Sequence, residues 1–388
     1  MDYSCTSVLQ NTEPIGKSTA KKRVFRIFPL WFFIPFCIAV LCGVFHIISR
    51  NSTAFANFFT DNVSSVFRFI TAKTTMVLPF SFAETVVICL PLIIGLFMHR
   101  AYLQITRKER SRPFFILLTV CCVLYSLFVL NFACGYNAER IDKRLGMERK
   151  KVSAEELYYT ASQLKDEVNA LAPGISYGTD GFSVMPYSFD GMSRKLCNAF
   201  DSLHEKYPFI QSYSGRVKPV ALSVPMSYAH ITGIYVPFTG EANINIDFPD
   251  YSIPFTAAHE LTHQIGVARE DEADFVAFLV CLESDDPYIR YSGFLSMLEY
   301  TLNPLYGANA EYYREVYLAL DEGVKGELRA YAAFFEKYRD STASKVNNAV
   351  NDTYLKVQTN HSHDHKFHSV HSLHIHDHDE YMDFSFSF

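Results

Sequence analysis

Hydrophobic and polar positions divide the chain into a front third of long apolar runs and a remainder in which apolar residues recur periodically. Residues 27–48 form the first run, headed by Phe28, Leu30, Trp31, Phe32 and Phe33. It is long enough for the roughly 20 residues that a spanning helix needs. It is too long for the apolar part of a signal peptide, and no small-residue cleavage site follows, so an uncleaved helix is predicted. Residues 76–98 and 113–132 are two further runs, the former carrying Pro79, Glu84 and Pro91. A carboxylate inside a bilayer is costly and is by default a functional candidate. Glu84 lies near the start of its run, so a place at the interface or in a re-entrant stretch is the alternative. Residues 51–73 read as a mixed, partly amphipathic loop.

Beyond residue 136 the period becomes that of short helices. Ser153-Ala154-Glu155-Glu156 starts one that continues over 157–170 and stops at Pro173-Gly174. Residues 193–207 form another, with Leu196, Ala199, Phe200 and Leu203 as its apolar stripe. The pattern then changes to strands at 217–224, 231–236 and 242–246, separated by the turn signals Thr232-Gly233 and Thr239-Gly240. Helices are predicted again over 255–265, 268–282, 288–302, 311–320, 325–338 and 346–354, with Tyr291, Phe294, Leu295, Leu298 and Leu302 as packing positions. The expected class is α+β: three N-terminal transmembrane helices, then a mostly helical domain with a small sheet. The expected divisions are a basic tail at 1–26, a three-span anchor at 27–136, a soluble domain at 137–356 and a histidine-rich tail at 357–388.

Charge adds orientation. Lys17, Lys21, Lys22, Arg23 and Arg26 precede the first run, and Arg100, Arg107, Lys108, Arg110 and Arg112 lie between the second and third. The connection between the first and second holds only Arg50, Arg68 and Lys73. The bias places the N-terminus in the cytoplasm and the large C-terminal part outside a cell membrane crossed several times. Arg140, Lys143, Arg144, Arg149, Lys150 and Lys151 run against it, but long domains translocate largely regardless of charge. A net charge of −6 gives no reason to invoke nucleic acid. Six of the nine cysteines lie in or beside the apolar runs and none forms a CxxC, which excludes a cysteine-rich zinc ribbon. Residues 361–380 hold eight of the fourteen histidines; disorder is expected there, with loose metal binding as a possible use of the composition.

The candidate chemistry lies at 256–266, TAAHELTHQIG. Residues four apart share a helix face, so His259 and His263 reach one metal ion from a single turn. Zinc suits them, since it takes imidazole nitrogen and keeps an open position in catalytic sites, where a water's pKa falls to about 7. Glu260 is the candidate general base, passing the proton on to the leaving amine. Gly266 ends the helix, and a second one with an acidic first turn follows. Glu270 is the candidate third ligand, with Glu272 its competitor. Asp274, one turn beyond Glu270, is placed to orient a ligand histidine through its other ring nitrogen. Bare HExxH matches arise by chance, and the acids also suit a plain helix start.

HELTH followed by Glu270-x-x-Ala273-Asp274 resembles the gluzincin metallopeptidases, above all their membrane-embedded branches, in which a glutamate on a second helix completes the site. The block IYVPFTGEANIN and the later AAHELTHQIGVAREDEADFVAFL resemble more closely a bacterial membrane family catalogued as domain of unknown function 3810. That resemblance runs over roughly residues 27–356 and is most specific at 233–281. It implies a zincin-like fold, a zinc cofactor and peptidase activity on a peptide or protein substrate. Two features depart from the peptidase patterns. The interval from His263 to Glu270 is shorter than in thermolysin-like enzymes, and the slot where metzincins place a third ligand holds Arg269. In zincin folds an edge strand pairs with an extended peptide. Residues 233–238, with Gly233, Ile234, Tyr235 and Val236 at their core, are the candidate, and Pro237 favours an edge; a plain buried strand is the alternative. Tyr228, His230 and Tyr235 are candidate oxyanion donors by proximity, and Asn351 and Tyr354 are candidates to reach the cleft. The competing functional reading is a non-hydrolytic zinc-binding membrane protein, a metal sensor or metal-handling factor using the histidine tail.

Overall fold

In the computed structural model the described residues are 29–107, 111–213, 215–339, 341–358, 373–378 and 381–386. The basic tail at 1–26, Lys108, Arg110, residues 361–372 of the histidine-rich stretch and the side chain of Tyr354 lie outside them.

Among the described residues, three helices are long and apolar enough to cross a membrane: α1 (Leu30–Asn51), α4 (Phe82–Thr106) and α5 (Ser111–Asn131). α1 and α5 pack together through Phe32 on Phe115 and Cys122, and through Cys42 near Val129. α4 buries none of its residues, so its apolar surface is exposed all round. It starts later than its apolar run because the Ser81 side chain accepts the Glu84 N–H and fixes the helix start there.

The expected loop at 51–73 is helical instead: α2 (Thr53–Phe58), a π-helical turn (Phe59–Ser64) and α3 (Ser65–Thr75). Phe55, Phe59 and Val63 pack against Phe45 and Val129. Arg68, only 1% exposed, donates to the carbonyls of Thr60 (2.9 Å) and Asn131 (3.2 Å). These contacts tie the segment to the end of α5 and give polar positions an interior use that hydrophobic periodicity does not register.

The rest is mostly helical. A short 3₁₀ turn (Ala133–Asn137) and α6 (Ile141–Arg144) lead into α7 (Ala154–Leu171), whose Ser153 and Glu156 form a capping box. Next come α8 (Phe189–Lys206), β1 (Lys218–Val220), α9 (Ser223–Tyr228), β2 (Gly233–Val236) and β3 (Glu241–Asn245). The strands form one sheet in the order β1-β3-β2, with β1 parallel and β2 antiparallel to β3, so β2 is an edge. Then follow α10 (Ser252–Gln264), α11 (Glu270–Glu283), α12 (Pro287–Ala308), α13 (Ala310–Leu318), α14 (Glu322–Glu336) and α15 (Thr342–Gln358). Within the tail expected to be disordered, β4 (Leu373–His378) and β5 (Tyr381–Phe386) pair antiparallel.

The two largest apolar cores among the described residues lie in this part of the chain. One joins α8, β3, α10 and α11 through Leu196, Phe200, Ile244, Ala258 and Val280. The other joins α7 to α12, α13 and α14 through Val168, Leu295, Leu298, Val316 and Phe335. The first core holds α10 rigidly, and α10 carries the HExxH residues.

Candidate metal centre

Local chemistry dictates the turn between α10 and α11. Gly266 ends α10 at φ 109°, a conformation that a side chain strains against. A Cβ there would also lie 2.4 Å from Cζ of Arg68, so the guanidinium rests directly on the turn. Beyond it Arg269 donates to the carbonyls of Tyr136 (2.7 Å) and Ala138 (2.9 Å), fixing where α11 begins. The residue in the metzincin ligand slot is therefore a clamp.

The turn folds Glu270 back over the α10 histidines. Its Oε2 lies 3.2 Å from His259 Nε2 and 3.3 Å from His263 Nε2. Among the described residues, His259, His263 and Glu270 form a group whose three ligand atoms lie within 4.8 Å of one another. The other ring nitrogens are both taken. His259 Nδ1 faces Asp274 Oδ1 at 2.7 Å and His263 Nδ1 faces the Val267 carbonyl at 2.7 Å. With an acceptor on each Nδ1, the proton belongs there and both Nε2 lone pairs point at the common centre. Two donors held at roughly 2.0–2.1 Å by a tetrahedral ion stand roughly 3.3 Å apart, which the Glu270 separations match. Two imidazole nitrogens and a carboxylate oxygen within 4.8 Å of one another are a donor set of the type that zinc takes.

The electrostatics favour a cation. Burial works against a charge on His259, yet Asp274, Glu270 and Glu260 together raise its pKa well above the imidazole range. Burial opposes a charge on His263 too, and Glu270 reverses the balance upward. Burial alone would raise Glu270, but the two histidines hold it well below the usual carboxylate value. Glu260 is raised by burial, only partly offset by the histidines.

Glu272 is held elsewhere. Arg269 grips its carboxylate (3.2 Å), and it accepts the Ile141 N–H (3.3 Å). Of the two acids left open by sequence, Glu270 is the one beside the histidines.

β2 runs alongside the Glu260 side of the site. The Thr232 carbonyl accepts the Asn245 N–H (2.9 Å), so Thr232, Ile234 and Val236 turn their backbone groups toward β3. Gly233 and Tyr235 turn theirs toward the free edge, where the Tyr235 N–H donates to Glu260. Of the four candidate edge residues, Gly233 and Tyr235 thus turn backbone groups outward next to the general-base candidate. The Tyr235 ring points away, packing on Phe132 (5.6 Å between centroids), with burial raising its hydroxyl pKa. The side chains of Tyr228 and His230 are engaged elsewhere: Tyr228 stacks edge-on against Tyr338, and His230 Nε2 meets the Tyr338 carbonyl at 2.7 Å.

Sequence reasoning missed the layer beneath the site. Phe132, just past α5, lies edge-on to His263 with ring centroids 5.8 Å apart. Gly135 comes so close to the turn that a Cβ would sit 3.0 Å from the Gly266 carbonyl. These residues belong to no motif; their glycine and aromatic character was the only available signal.

A family model described as "Protein of unknown function (DUF3810)" matches residues 55–366. No curated protein and no solved structure matches the chain.

Proposed function

The chain belongs to the DUF3810 family, and because that membership names no chemistry, we propose from the site itself that the protein is a membrane-anchored, zinc-dependent peptidase. The observation that carries this reading is the convergence of His259 Nε2, His263 Nε2 and Glu270 Oε2 beside a buried Glu260 and an edge strand. His259, His263 and Glu270 would hold the metal, with Asp274 and the Val267 carbonyl fixing the rings. When bound, zinc supplies a Lewis acid that polarises a peptide carbonyl and brings a water's pKa to about 7.

This chain's own residues do the rest. The outward N–H and carbonyl of Gly233 and the carbonyl of Tyr235 hold an extended peptide by strand addition, while the Tyr235 N–H stays on Glu260. Glu260, its pKa raised by burial, takes one proton from water as the water oxygen bonds to the carbonyl carbon. The C–N bond then breaks and that proton passes to the leaving nitrogen, giving a carboxylate-ended and an amine-ended fragment. Aligned with the basic residues before α1 and between α4 and α5, the reading places the N-terminus in the cytoplasm and the site outside.

Glu260→Gln tests it. The variant is expected to keep one zinc per chain while cleavage of a peptide library falls by about 10²–10⁴-fold. Equal behaviour of variant and parent toward the library, with zinc retained in both, overturns hydrolysis and leaves a zinc-binding membrane protein.

A further inference from the structure

The β2–β3 hairpin sits at the level where α4 begins. Val236, the last residue of β2, pairs with Glu241. The fully buried Glu241 carboxylate accepts the backbone N–H groups of Phe82 (2.9 Å) and Ala83 (2.8 Å), the first two residues of α4. The hairpin tip is equally close to the membrane-side elements: a Cβ on Gly240 would lie 2.5 Å from Thr71 Oγ1 and 2.8 Å from the Ala72 nitrogen. Phe82 at the start of α4, Val77 and Phe80 just before it in the chain, and Phe238 in the turn after β2 are all exposed, Val77 by 75%. Such a cluster at the mouth of an apolar helix belongs at the lipid surface. From the other side, His263 touches Phe132, which directly follows the end of α5.

The other end of β2 is the chemical end. Gly233 approaches Glu260 so closely that a Cβ would stand 2.7 Å from its Cγ and Oε1. A strand rises about 3.3 Å per residue, so Glu260, which meets both Gly233 and the Tyr235 N–H, lies within about 10 Å along β2 of the residue level with the start of α4. An added strand pairs best antiparallel. A peptide lying antiparallel on β2 passes Val236 first and Gly233 later, so its N-terminal side is the one at the lipid surface.

Resting on the peptidase reading and on α4 and α5 crossing the bilayer, we infer that the substrates are membrane-anchored polypeptides cut just C-terminal to their membrane segment. The cut falls within about three residues of the apolar boundary, the number an extended chain needs to span that distance. Free peptides and chains anchored on the C-terminal side of the bond are poor substrates, since neither presents the required end at Val236.

The test uses the full chain, zinc-loaded, in vesicles of phosphatidylethanolamine and phosphatidylglycerol. Three mixed-sequence libraries of about a dozen residues are compared: free, following an apolar helix of about 20 residues, and preceding the same helix. Mass spectrometry reads the cut positions, with Glu260→Gln as the blank. The expected result is that the segment following the helix is cleaved about ten-fold or more faster than either other library, with cuts clustered beside the helix. Equal Glu260-dependent cleavage of the free library, or preference for the segment preceding the helix, overturns this inference and leaves the peptidase reading standing. Absence of Glu260-dependent cleavage in all three overturns the peptidase reading and this inference with it.

Discussion

A methyl group added at Gly233 would sit 2.7 Å from both Cγ and Oε1 of Glu260 and 2.9 Å from Cγ2 of Thr256. No carbon tolerates those separations, and Glu260, packed at 5% exposure, has little room to yield. Gly233→Ala should therefore push the carboxylate off line by about an ångström and slow cleavage about 10²-fold. Gly233 touches none of the three candidate metal residues among its nearest neighbours, so zinc per chain, read by metal analysis, should stay unchanged. An unaltered rate would argue that Glu260 is not the base. Close approach of this kind is invisible in a sequence, where Gly233 reads as a turn signal and as the start of the candidate edge strand. His259 and His263 are legible because a four-residue helical interval by itself puts side chains on one face. That Glu270 and not Glu272 lies beside the histidines is not legible, because Arg269 and the Ile141 N–H hold Glu272 elsewhere, and Ile141 lies 131 residues away from it in the chain.

At the scale of elements, α12 carries a carboxylate with a pH signature. Burial raises Glu299 to about 8, with the Tyr251 hydroxyl donating to it at 2.9 Å and only partly offsetting the shift. In the unfolded chain the group titrates near 4.5. Below that value both states are protonated and the neutral carboxyl's contribution to stability is fully present. As pH rises toward 8 the unfolded chain ionises while the folded one resists, and stability falls by about 1.4 kcal/mol per pH unit at most. Glu299→Gln, neutral throughout, should melt with the parent near pH 4.5 and a few degrees above it at pH 8, as thermal scans in detergent would read. Coincident melting curves at pH 8 would show that Glu299 ionises freely. Elements whose apolar residues face one core, such as α7 and α8, are the ones that periodicity located. The 51–73 segment escaped because its packing mixes Phe55 and Phe59 with a buried Arg68, so neither the helical nor the strand period dominates. Glu84 likewise reads as a membrane carboxylate, whereas its oxygens accept the Leu222 (2.6 Å) and Ala221 (3.1 Å) N–H groups and tie α4 to the segment after β1.

Across the whole molecule, the change from apolar runs to short periodic helices near residue 136 is plain in the sequence, and it suggests an anchor followed by a separable domain. The contacts crossing that point argue for interdependence. Lys218, fully buried on β1, donates to the carbonyls of Thr75 (3.0 Å) and Leu78, and burial already depresses its pKa. Glu241, fully buried on β3, depends on the N–H groups of Phe82 and Ala83. Arg68 supports the Gly266 turn and Phe132 covers His263. Cutting the chain before residue 137 removes every one of these partners at once. It leaves a cation and a carboxylate without their backbone partners in the sheet beside the metal residues, where each unpaired buried charge costs about 3–5 kcal/mol. That sum rivals the entire stability of a typical domain, about 5–15 kcal/mol. The 137–356 segment alone should therefore lack a cooperative unfolding transition and bind zinc about 100-fold or more weakly than the full chain in detergent, as chelator competition would measure. A segment that melts cooperatively and holds zinc as tightly as the full chain would mean that Lys218 and Glu241 satisfy each other once the anchor is gone. In that case the helices before residue 136 serve to locate the site at a surface and not to build it.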